Sequence, residues 1–129
     1  MPTVLVVDDD PAVRCLVRDV LEPEGYDVAL APDGPTCLAA VRAARPDCVV
    51  LDVMMPGMDG HEVLRAIRLE DGGPGLPVVM LTAAADDAQA WQAWTEGVDY
   101  FLAKPFDADE LLRYLAHLFD PQAVDEARC

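Results

Sequence analysis

Five side chains in this 129-residue chain are of types that do chemistry together: Asp8, Asp9, Asp52, Thr82 and Lys104. Each follows an apolar run: residues 3–7, largely β-branched, lead into Asp8 and Asp9, 48–51 into Asp52, 77–81 into Thr82, and 100–103 into Lys104. Two carboxylates about 5 Å apart repel by about 3 kcal/mol at an effective dielectric near 20. Three of them facing a single ammonium would leave a negative pocket that a hard divalent cation resolves. Mg²⁺ suits a few carboxylates, retained water and a phosphate oxygen. Lys104, the only lysine in the chain, and Thr82 remain to hold an oxyanion. The set reads as metal plus phosphate, with a carboxylate as nucleophile.

Such a site needs the runs to be neighbouring strands of one sheet. Continuous apolar runs of four or five residues suit strands buried on both faces, as parallel sheets require. Helical signals alternate with them. Asp10-Pro11 is an N-cap followed by proline at the first helical position, and Val13, Leu16, Val17, Val20 and Leu21 then recur at helical spacing until Pro23 and Gly25. A strand is expected at 26–30, a helix at 34–44 with Leu38 and Val41 inward, and a helix at 59–69 on Val63, Leu64 and Ile67. Asp59 and Gly60 read as a cap and a close-packing position outside the site. A fourth helix starts at Asp86 or Asp87 and stops at Gly97, with Trp91 inward and Trp94 partly exposed. Asp107 caps a last helix with Leu111, Leu112, Leu115 and Leu118 towards the sheet. Five βα units predict an α/β fold with a parallel sheet covered on both faces. In such sheets ligands bind at the carboxyl ends of the strands, which is where the five polar residues fall.

Composition narrows the function. Twenty-four acidic residues against nine basic ones give a net charge of −15, so this domain is expected to repel nucleic acid, whose binding depends on Lys and Arg. No apolar run approaches the length of a membrane helix, and a cytoplasmic location is expected. The four cysteines (Cys15, Cys37, Cys48, Cys129) lack C-x-x-C spacing and read as buried free thiols, and His61 and His117 give no support to a zinc site.

Four segments together resemble the response-regulator receiver family, chemotaxis regulators included: Asp8-Asp9-Asp10-Pro11; Leu51 through Asp52-Val53-Met54-Met55-Pro56-Gly57-Met58-Asp59-Gly60; Leu81-Thr82-Ala83; and Lys104-Pro105-Phe106. The resemblance covers about residues 3–119. It implies a flavodoxin-like, doubly wound (βα)5 fold with strand order 2-1-3-4-5, a receiver domain over 1–120 and a polar tail or linker over 121–129. It further implies that Asp52 accepts a phosphoryl group from a histidine kinase, a phosphotransfer protein or a small acyl phosphate. Mg²⁺ would be held by Asp9, by Asp8 directly or through water, by Asp52 and by the Met54 carbonyl. Lys104 would pair with the phosphoryl group and with Asp52, Thr82 would move to hydrogen-bond that group, and the Lys104–Pro105 bond would be cis. Phe101 takes the position of the switch aromatic, where the family often has tyrosine. The domain would catalyse its own phosphorylation and a slow self-dephosphorylation, since neither Met54 nor Ala84 offers a base to activate water. A phosphorylation-dependent homodimer through the fourth helix, fifth strand and last helix is implied as well.

Two other readings use the same residues. A small Mg²⁺-dependent phosphohydrolase of the haloacid dehalogenase type combines a nucleophilic Asp, a hydroxyl and a lysine, but places the nucleophile in an Asp-x-Asp motif on its first strand. A receiver-like module independent of phosphorylation would be expected to have lost an acidic ligand, the acceptor or the lysine, and this chain keeps them all.

Overall fold

The computed structural model describes residues 2–70, 72–82, 98–103 and 107–119. Within them every expected apolar run is a strand: β1 (Thr3–Val7), β2 (Asp27–Ala31), β3 (Cys48–Asp52), β4 (Val78–Thr82) and β5 (Tyr100–Ala103). They form one parallel sheet in the order β2-β1-β3-β4-β5. The described helices are α1 (Pro11–Leu21), α2 (Gly34–Ala43), α3 (Gly60–Leu69) and α4 (Ala108–Phe119). The helix expected before Gly97, with Trp91 and Trp94, lies outside the described residues, as do Ala83, Ala84, Lys104, Pro105, Phe106 and the tail.

Side chains alternate across the sheet and so divide the core in two. Leu5, Val7, Val49, Leu51, Val78 and Met80 pack with Val63, Leu64 and Ile67 of α3 and Leu38 and Val41 of α2. On the other face Val4, Val6, Val50, Val79 and Leu81 meet Val17 and Leu21 of α1 and Leu111 and Leu115 of α4. Each such Val or Leu contributes about 1.5–3 kcal/mol when fully buried, so the central strands are the firmest part of the fold.

Local signals set the element ends. Asp10, Asp33 and Asp59 each cap the helix that follows, accepting from the backbone N–H of Ala12, Thr36 and Glu62 at 2.9 Å. A short 3-10 turn (Glu22–Glu24) follows α1 and closes on Gly25, whose φ of 94° is left-handed.

Three expectations need correction. The second strand runs one residue later than the 26–30 reading, because Tyr26 packs on Phe119 instead of pairing in the sheet. Leu16, counted in the apolar stripe of α1, is exposed; it stands about 100° around the helix from Val17, off the face that meets the sheet. Cys15 is exposed too, whereas Cys37 and Cys48 are buried free thiols. Burial pushes the Cys37 thiol up to about 12, and burial with the nearby charges of Asp99 and Asp47 raises Cys48 further.

Candidate metal centre

The register of the sheet builds the site. Val7 of β1 lies opposite Leu51 of β3, so the next residues along, Asp8 and Asp52, stand side by side at the carboxyl edge. Asp52 in turn lies opposite Leu81 of β4, which sets Thr82 one step further along that edge. Asp8, Asp52 and Thr82 are all buried at the end of apolar strands, while Asp9 is exposed. A carboxylate oxygen from each of Asp8, Asp9 and Asp52 lies within 4.8 Å of the other two. An all-oxygen, acidic donor set at that spacing fits a hard divalent cation such as Mg²⁺.

Backbone hydrogen bonds hold these groups. The Asp8 N–H donates to the Ala31 carbonyl at 3.2 Å, and the Asp10 N–H donates to Asp8 Oδ1 at 2.9 Å. The Met54 N–H donates to Asp52 Oδ1 at 3.3 Å, so the turn after β3 wraps around the carboxylate. The Met54 side chain is exposed. Gly60 explains the Gly in that segment. Its N–H donates to the Val53 carbonyl at 2.9 Å, and a Cβ there would collide with the Asp52 carbonyl oxygen and reach the Val53 Cα at 2.7 Å. Asp59 and Gly60 are thus the cap and the close approach expected from sequence.

Phe101 is partly buried against the α2–α3 core, opposite Met80 of β4. Tyr100 points to the other face and stacks on Tyr114 at 4.4 Å, nearly parallel. Lys104 and Pro105 fall outside the described residues.

One residue at the site was not singled out from sequence. The Arg14 guanidinium, from the first turn of α1, donates to the Asp8 carbonyl at 2.7 Å. Helical side chains lean towards the N-terminus, so an arginine four residues after the Asp10 cap reaches back over the acidic turn. That offset was the available signal.

The family model described as the response regulator receiver domain matches residues 4–116. The chain belongs to that family. This receiver domain is 44% identical over 109 residues to the DNA-binding response regulator MtrA of Mycolicibacterium smegmatis, a match covering 84% of this chain and 46% of that protein. The receiver domain thus spans about half the length of such relatives. Among solved structures, the chemotaxis protein CheY4 of Vibrio cholerae superposes with a TM-score of 0.87 at 35% identity, covering 92% of this chain and 98% of CheY4. The Francisella response regulator 1452 receiver domain superposes with a TM-score of 0.86 at 31% identity, over 95% of this chain and 99% of that one. Among the described residues of this receiver domain, no helix is long and apolar enough to cross a membrane.

Proposed function

We propose that Asp52 is the phosphoacceptor of this receiver domain, and that Asp8, Asp9 and Asp52, with the Met54 carbonyl, hold Mg²⁺. The observation that carries this reading is the convergence of those three carboxylates within 4.8 Å at the carboxyl edge of the sheet. Asp52 is the member that both ends an apolar strand and receives the Met54 N–H. That hydrogen bond holds the carboxylate against the turn that follows β3.

In the transfer, an Asp52 oxygen forms a bond to phosphorus as the bond from phosphorus to the donor breaks. The donor is the phosphohistidine of a sensor kinase or phosphotransfer protein, or a small acyl phosphate. A histidine donor leaves as imidazole and an acyl phosphate as carboxylate. Phosphoryl transfer asks the protein mainly for alignment and for charge neutralisation on the equatorial oxygens. Bound Mg²⁺ would supply part of that neutralisation, and Lys104 the rest. The burial of Asp52 and Thr82 keeps bulk water from the acceptor, and attack of water at phosphorus resets the domain slowly.

Thr82, one step along from Leu81, turns towards a phosphoryl group on Asp52. Phe101 then fills the space on the α2–α3 face, coupling the site to the surface of β5 and α4. That surface carries the output, through a homodimer or a partner. MtrA is named a DNA-binding regulator; in this domain a net charge of −15 makes direct DNA contact unfavourable.

The test is intact-protein mass after incubation with acetyl phosphate, with and without Mg²⁺, for the wild type and Asp52→Ala. One added phosphoryl group that requires Mg²⁺ and is absent in the variant is expected. An adduct that persists in Asp52→Ala would move the acceptor elsewhere. No adduct under any condition would favour a module that works without phosphate.

A further inference from the structure

We propose that Arg14 is a positioning residue for the metal centre, acting through the peptide plane between Asp8 and Asp9; this rests on the Mg²⁺ site proposed above. The Asp8 carbonyl oxygen and the Asp9 N–H belong to one rigid, planar unit. Pinning that oxygen therefore fixes the rotation of the plane, and with it the directions in which both carboxylates leave the backbone. Arg14 pins it at 2.7 Å with a charge-assisted hydrogen bond.

Among the described residues, two other hydrogen bonds of this turn act on different atoms. The Asp8 N–H is tied to Ala31, and Asp8 Oδ1 receives the Asp10 N–H. Neither reaches the peptide plane that follows Asp8. Asp9 is exposed, so packing does not hold it. Its direction depends on its backbone, and the Arg14 bond governs that backbone from the Asp8 side. Arg14 is itself anchored, because its N–H makes the first-turn helical bond to the Asp10 carbonyl at 3.1 Å.

The choice of acceptor matters as well. Beside three carboxylates, an arginine would ordinarily form an ion pair. Among the described residues Arg14 makes no ion pair within 4 Å, and its guanidinium is spent on a neutral carbonyl. It orders the acidic turn without occupying the carboxylate oxygens that a cation would need.

Two consequences of removing Arg14 oppose each other, which makes the proposal decidable. Losing a nearby positive charge favours cation binding by electrostatics. Losing the bond to Asp8 disfavours it by disordering two ligands, and supporting partners of metal ligands are commonly worth about 10–100-fold in affinity. The proposal requires the second effect to win.

The experiment is calorimetric titration of Mg²⁺ into the wild type, Arg14→Ala, Arg14→Gln and Asp9→Ala, with the thermal midpoint of each measured without metal. Arg14→Ala is expected to weaken Mg²⁺ binding about tenfold. Arg14→Gln, neutral but still able to donate to the carbonyl, should recover most of that loss. Equal or tighter binding in both Arg14 variants would overturn the proposal, since charge alone would then account for Arg14. A loss in both that merely tracks a fall in the metal-free midpoint would overturn it too, by reducing Arg14 to a stability residue. If the wild type binds no Mg²⁺, or Asp9→Ala binds as the wild type does, the metal-site reading itself fails, which separates the two claims.

Discussion

The two edges of the sheet use the same residue type in opposite ways. At the amino edge, Asp47 and Asp99 face backbone donors: Asp47 Oδ2 accepts from the Thr3 N–H and Asp99 Oδ2 from the Val78 N–H, each at 2.7 Å. Arg68 stands 3.9 Å from Asp99 and also donates to the Gly73 and Leu76 carbonyls at 2.7 Å. Burial lowers the Arg68 pKa, and the Asp99 charge offsets part of that. At the carboxyl edge, Asp8 follows β1 and Asp52 ends β3, where the strands finish in carbonyls, and they meet another carboxylate, Asp9. Parallel strands all start with N–H groups on one side and finish with C=O groups on the other. The two aspartates at the first edge stand apart, each on a backbone donor; at the second, Asp8 and Asp52 also accept backbone N–H groups, from Asp10 and Met54, but three carboxylates crowd together, an arrangement that suits a cation. Strand polarity and that crowding, more than the number of acidic residues, distinguish the two edges.

The largest expected effects compare two glycines. A Cβ at Gly60 would meet the Asp52 carbonyl oxygen, and a Cβ at Gly73 would meet the Ile67 carbonyl oxygen. Overpacking against backbone costs about 3 kcal/mol, so Gly60→Ala and Gly73→Ala should lose similar stability in urea denaturation. Under conditions where both remain folded, only Gly60→Ala should also slow phosphorylation by acetyl phosphate, because it shifts the end of β3. Equal slowing in the two would show that the carboxyl edge is no more sensitive than the other.

Opposite signs of a stability change come next. Without Mg²⁺, Asp52→Asn should stabilise the fold by about 1–2 kcal/mol, a fraction of the repulsion it relieves. Asp99→Ala should destabilise it by about 1–2 kcal/mol, through the lost acceptor for Val78. Denaturant midpoints for both variants decide the matter, and shifts of the same sign would break the contrast between the edges.

The smallest effect sharpens it. Asp33 also follows a strand, β2, yet it finds donors at the start of α2. The Thr36 hydroxyl and then the Thr36 N–H hold its pKa below the ordinary 3.8. A depressed carboxylate stabilises the fold above its unfolded pKa, and that contribution is lost as pH falls through the folded value. The melting-temperature advantage of the wild type over Asp33→Asn should therefore fade only below about pH 4. An advantage that stays constant down the acid limb would mean that the carboxylate charge plays no part in the cap.

Much of this could be read from the residues. Buried strands of a parallel sheet are apolar on both faces, so β1, β3 and β4 announce themselves, and their last residues named Asp8, Asp52 and Thr82 directly. The caps at Asp10 and Asp59 followed from residue type and position. What escaped depended on direction in space. Arg14 sits on the helix that leaves the site, and only the backward lean of its side chain brings it to Asp8. Asp47 and Asp99 look like loop residues because their partners, Thr3 and Val78, are distant in sequence. Leu16 was misassigned because five apolar residues on α1 span a wider arc than the sheet can cover.

The uneven exposure of the three acidic residues has a consequence in time. Among the described acidic residues, Asp8 and Asp52 are buried and Asp9 is open to solvent, so on the function proposed above Asp9 marks a doorway. The donor that would write the signal and the water that would erase it can both come in past Asp9. A protein resting on that doorway would lengthen the memory of a signal already received and, by the same act, leave the domain deaf to the next.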